Sequence, residues 1–213
     1  MGNSPRARPR RRVADLPRCR DGAALVEAAM VLPILLLIVF ALTELSLYFW
    51  TQSRAEKAVQ LGLRRAVVSD PVAVGPGLDP AGSEAWWDGL PLGLRCYPAG
   101  AGPGPCPAFA VACDLEAGCR CDGGCRFGLD RARLDGIVQT MRAVLPDLRP
   151  ENVRVGYRTN GFGYVGRPLP VPVDVTVSLV GMRYSTLFLG DLFGASLPLQ
   201  AQAQRPSEDL LSR

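Results

Sequence analysis

The sequence predicts an α+β protein, with a long N-terminal transmembrane helix and then an extracytoplasmic domain of one amphipathic helix and a small antiparallel sheet. Three observations carry this. The run from Ala28 to Leu42 is apolar and holds no charged residue. Residues Asp130 to Leu145 repeat apolar side chains at helical spacing. Two later stretches alternate apolar and polar residues with a period of two.

Charge orients the chain. The first 21 residues hold seven Arg against Asp15 and Asp21, a local net charge of +5. The whole chain carries +4, so the remainder is −1. Positive charge beside a spanning helix stays cytoplasmic, which predicts a cytoplasmic leader over 1–22 and everything beyond Trp50 outside. A nucleic-acid or lipid-surface role for the Arg tract is the weaker reading, because the adjoining helix accounts for the charge. The membrane segment is expected over 23–50, about 28 residues or roughly 42 Å at 1.5 Å per residue. Pro33 should bend it. Tyr48, Phe49 and Trp50 read as an interfacial aromatic belt. That belt, with no helix breaker before Ser53-Arg54-Ala55, argues against signal-peptidase cleavage there. Glu44 is expected at the outer interface as a hydrated or snorkelling carboxylate.

A helical extension follows over 51–70. Ala55, Val59, Leu63, Ala66 and Val67 form an apolar stripe, and Ser69-Asp70-Pro71 ends it. Residues 71–129 form a Gly/Pro/Cys-rich insert. Eight Pro and twelve Gly fall within 71–128, too many for a segment that must build its own core. Six cysteines (Cys96, Cys106, Cys113, Cys119, Cys121 and Cys125) lie in this segment, and Cys19 lies in the leader. An even number in an oxidising compartment predicts up to three disulfides, with fifteen possible connectivities. The stretch from Cys96 to Cys125 therefore reads as a disulfide-stapled excursion. A zinc site is disfavoured, since the chain has no His and no C-x₂-C pair.

The α+β extracytoplasmic domain is expected over 130–205. It opens with the helix whose apolar face is Leu134, Ile137, Val138, Met141, Val144 and Leu145, stopped by Pro146. Val153–Tyr157 is a short strand. Val171 to Leu179 and Leu197 to Ala203 alternate as half-buried strands. The greasy connection of Leu187, Phe188, Leu189, Leu192 and Phe193 is expected to pack on the core. Residues 206–213 read as a flexible tail.

Several motifs mislead. Gly161-Phe-Gly-Tyr-Val-Gly166 spells G-x-G-x-x-G, but the Pro-rich Arg167–Val173 that follows cannot start a phosphate-binding helix, so a flexible hairpin loop is expected. The sole lysine is Lys57, upstream of it. Without His, the Ser-His-Asp and Cys-His arrangements are excluded. No enzyme activity, cofactor, metal or small-molecule substrate is expected, and no nucleic-acid partner.

The region before the apolar run holds the most specific pattern: a basic leader, Gly22, Ala23-Ala-Leu-Val, then Glu27. A carboxylate in an apolar segment costs roughly 2.5–3.5 kcal/mol at the bilayer centre, which marks Glu27 as functional. With Leu32-Pro33, Glu44 and Ala58-x-x-x-Gly62-x-x-Arg65-Ala66, this string resembles the TadE-like family of pseudopilins, or minor pilins, of tight-adherence (Flp-type) pilus machinery. Ala28 stands where an aromatic residue commonly follows the glutamate. The resemblance implies a pilin-like fold and a bacterial inner-membrane location. It implies cleavage between Gly22 and Ala23 by a prepilin peptidase, assembly roles for Glu27 and Glu44, and other pseudopilins and pilus assembly proteins as partners. Two rivals remain: a membrane-anchored binding protein that uses the disulfide-stapled loop and Trp86-Trp87, and an extracytoplasmic thiol enzyme.

Overall fold

The structure is a computed structural model. It describes residues 20–78, 89–96, 104–106, 108–122, 126–166, 171–187, 190, 194 and 196–207, without the side chains of 20 and 21. Two compact units divide the chain, Met1–Thr43 and Glu44–Arg213.

In the first unit, the N-terminal part of helix α1 (Arg20–Val68) is apolar on every side. Leu25, Ile34, Leu35, Phe40 and Leu42 are all exposed. A helix that is hydrophobic all round needs lipid or protein on every face, and this one has the length and composition to cross a membrane. Pro33 lies inside it without ending it.

The second unit is an α+β domain built on a five-stranded antiparallel sheet of order β3-β2-β5-β6-β9. These strands are β2 (Ala110–Asp114), β3 (Gly118–Asp122), β5 (Val153–Thr159), β6 (Val173–Leu179) and β9 (Gln202–Pro206). Two short pairs accompany it: β1 (Ala73–Val74) with β4 (Gly128–Leu129), and β7 (Arg183–Ser185) with β8 (Ser196–Pro198). The register sets Val111, Tyr157 and Val175 in one row and Cys113, Val155 and Val177 in the next. All six are buried with the stripe Ala55, Val59, Leu63 and Ala66 of α1. The same core takes Leu134, Ile137, Val138 and Met141 of α2 (Arg131–Arg142). The opposite sheet face carries Arg154, Arg158, Asp174, Thr176 and Ser178. That alternation is the pattern of an antiparallel sheet with one wet face.

Local chemistry sets the helix boundaries. Asp130 caps α2, its side chain accepting from the Arg133 backbone N–H, which satisfies a donor that has no partner within the helix. The helices meet at Gly62, where an added Cβ would lie 2.5 Å from Met141 Sδ. Arg54 donates twice to the Val144 carbonyl, at 2.9 and 2.6 Å, and stacks its guanidinium 5.0 Å from the Trp50 ring centroid. Tyr157 is fully buried, yet its hydroxyl accepts from the Val72 N–H at 2.9 Å. Burial pushes its pKa upward. Helix α1 continues unbroken through Ser53-Arg54-Ala55, and Ala55 lies in the core.

Four sequence expectations need correction. The segment read as a stapled excursion supplies β2 and β3 to the central sheet, so its second half belongs to the core. The stretch Leu197–Ala203 is not one strand but two, because β8 pairs with β7 while β9 pairs with β6. Residues 206 and 207 are not a flexible tail, since Pro206 ends β9 and the Ser207 N–H bonds the Val173 carbonyl at 2.7 Å; 208–213 lie outside the described residues. The glycine loop does join β5 to β6, but it is pinned rather than free. Gly93 donates to Val165, Val165 to Leu94, and Cys96 to Gly163. Gly163 and Gly166 have φ of +118° and +90° there, where a side chain would be strained.

Candidate functional site

Glu44, Tyr48 and Gln52 follow one another at four-residue spacing on α1, so they share a helix face. Each reaches the same distant stretch of chain. Glu44 Oε1 accepts from the Leu187 N–H at 2.7 Å. The Tyr184 hydroxyl also hydrogen-bonds the Glu44 carboxylate. Tyr48 donates to the Pro198 carbonyl at 3.3 Å and packs edge-on against the Tyr184 ring, centroids 5.8 Å apart. Gln52 Nε2 donates to the Gln200 carbonyl at 2.6 Å. These contacts clasp the β7–β8 hairpin to α1.

Glu44 is only 2% exposed, which corrects the expectation of a hydrated or snorkelling carboxylate. The reason is chemical. A carboxylate removed from water is costly unless donors replace its hydration, and Leu187 and Tyr184 supply them. The neighbouring charge acts back on Tyr184, whose pKa is raised first by burial and then by Glu44. Tyr48 turns toward the hairpin, whereas Phe49 and Trp50 are exposed. Of the greasy connection, Leu187 is exposed rather than in the core; Phe188, Leu189, Leu192 and Phe193 lie outside the described residues.

Gly22, Ala23 and Glu27 lie on the exposed apolar part of α1. Nothing lies within 4 Å of where a Gly22 Cβ would stand. Glu27 follows Ala23 by four residues, one helical turn, so a cut before Ala23 would create an ammonium one turn from a carboxylate. Glu27 and Glu44 fall in different compact units.

Cys96 pairs with Cys106, and Cys113 pairs with Cys119. The second bridge joins directly opposed residues of β2 and β3, so it staples the sheet rather than a projecting loop. Cys121 is also disulfide-bonded. Cys125, Cys19 and the Trp86-Trp87 pair lie outside the described residues. Sequence reasoning missed Tyr184 and Leu187 as partners of Glu44. The 44/48/52 spacing was visible, but the segment that meets it lies about 140 residues away.

The first unit is an exposed apolar helix and the second an α+β domain. Residues 22–64 match the model of the TadE-like protein family. The TadE-like segment starts at Gly22 itself and takes in Glu27, Glu44 and Gly62. Neither a curated protein nor a solved structure matches the chain. The TadE-like match suggests a component associated with the Tad (Flp-type) pilus, and membrane association with that machinery. An N-terminal apolar helix of this kind fits a single-pass membrane protein.

Proposed function

We propose that this chain is a pseudopilin, a non-enzymatic structural or assembly component of a Tad (Flp-type) pilus or a related secretion complex. Its basic leader is cytoplasmic, its helix spans the inner membrane, and its α+β domain lies outside. A prepilin peptidase cuts between Gly22 and Ala23. The observation that carries this reading is the TadE-like match over 22–64, which begins at the proposed cleavage glycine. The charge difference across the helix and the oxidised cysteines of the domain support the orientation.

Glu27 acts in assembly. In lipid its carboxylate needs a positive partner, and the Ala23 ammonium of a neighbouring subunit is the nearest suitable one. Other pseudopilins and pilus assembly proteins are its partners. Intact-mass analysis of membrane-extracted protein tests the reading. A chain starting at Ala23 is expected; an uncut leader, or a start at Glu56, would overturn the processing step.

A further inference from the structure

Among the described residues, β9 is an edge strand, with no strand paired along its outer side. In the β6–β9 ladder, Ser207 N–H bonds the Val173 carbonyl and Leu179 N–H bonds the Ala201 carbonyl, which fixes the odd-numbered residues of β9 as those whose backbone faces β6. The backbone N–H and C=O of Gln202 and Gln204 therefore point away from the sheet. Both residues are exposed, and β9 pairs with β6 alone among the described strands. Pro206 blunts one end of the edge but leaves those four groups available.

A groove of about 620 Å³ runs over the outer side of α1 and reaches Arg205 of β9. Its lining includes Lys57, Leu61, Arg64, Val68 and Arg205, with no carboxylate. Leu61 is 38% and Val68 46% exposed, large fractions for apolar side chains of a domain helix. Among the described residues, none of the three cations has an ion-pair partner. Arg205 lies on the helix-facing side of the sheet, in the row of Val175. A strand laid on the β9 edge would thus place every second side chain toward these cations and apolar groups.

We propose that β9 accepts an additional strand from a partner protein, an extended segment that alternates acidic and apolar residues. The outward-pointing backbone groups of Gln202 and Gln204 provide the pairing, and Lys57, Arg64 and Arg205 select for negative charge. Charge also decides against a second copy joined β9 to β9, because that would bring two sets of three cations together.

Hydrogen exchange on the full-length protein in detergent tests this. The probe is a capped octapeptide of alternating Glu and Val, with a Lys–Val octapeptide as control. The Glu–Val peptide should slow amide exchange at Gln202 and Gln204 at least tenfold, and the Lys–Val peptide should leave it unchanged. Arg64→Glu with Arg205→Glu should abolish the protection. Gln204→Pro removes one outward N–H without touching the β6 ladder and should weaken protection of the Gln202 amide at least tenfold, whereas Gln204→Thr should keep it. Equal protection by both peptides, no protection at all, or protection that survives the charge reversal or Gln204→Pro would overturn the proposal. None of these outcomes depends on processing at Gly22.

Discussion

Glu44 Oε1 lies 2.7 Å from the backbone nitrogen of Leu187, a residue 143 positions further along the chain. This contact places a buried carboxylate against the chain just beyond β7, at the loop end of the β7–β8 hairpin. Glu44→Ala would leave the Leu187 N–H and the Tyr184 hydroxyl without their acceptor. The expected loss is about 1.5–3 kcal/mol, the range for hydrogen bonds to a charged group. Glu44→Gln keeps an acceptor and should lose less. Urea unfolding of detergent-solubilised protein measures both, and proteolysis between 183 and 198 should accelerate in the Ala variant. An unchanged midpoint in Glu44→Ala would show that the clasp contributes nothing.

Alkaline pH should loosen the same domain. Tyr184 and Tyr157 both titrate above the ordinary tyrosine value of 10.0, chiefly because burial disfavours the phenolate. Above pH 10 the unfolded chain releases these protons while the folded one retains them. The unfolded state then binds fewer protons, and stability falls as pH rises. Stability from these groups is complete below pH 10 and is lost on going higher. Tyr157→Phe should flatten this decline, at a cost of about 1 kcal/mol for the hydrogen bond from Val72. Thermal midpoints from pH 8 to 11 give the comparison.

Alkylation without reduction should label none of Cys96, Cys106, Cys113, Cys119, Cys121 and Cys125 in mature protein. Replacing Cys113 and Cys119 together by Ala should cost about 2 kcal/mol, the loop-closure value for a bridge of this short span. Labelling of two or more sites would restore the thiol-enzyme reading.

Glu27→Ala should leave insertion and cleavage intact and abolish assembly. Removing a carboxylate from an apolar helix makes residence in lipid easier, so abundance should hold. Cross-linking to partner pseudopilins and surface piliation should both fall. Normal piliation in Glu27→Ala together with its loss in Glu44→Ala would assign the assembly role to the other glutamate.

Patterns set by neighbours in the chain were legible without coordinates. The stripe from Ala55 to Val67, the apolar face of α2 and the alternation of β6 are local periodicities, and each buries the residues that its period names except Val144, which lies beyond the end of α2 and is only partly buried. The same holds for the apolar helix and for the segment 22–64, since a string of adjacent residues specifies both. Contacts between distant segments were decided only by the tertiary structure. Ala110–Asp114 lies among Gly and Pro, with a weak alternation of its own. It becomes a strand because β5, some 40 residues later, offers it a ladder of hydrogen bonds. Leu197–Ala203 alternates evenly, yet it divides because two different partners, β7 and β6, claim its two ends. Glu44 reads as an interfacial charge in sequence. It is buried because the fold returns Tyr184 and Leu187 to it, and donors for a carboxylate are a property of space rather than of spacing.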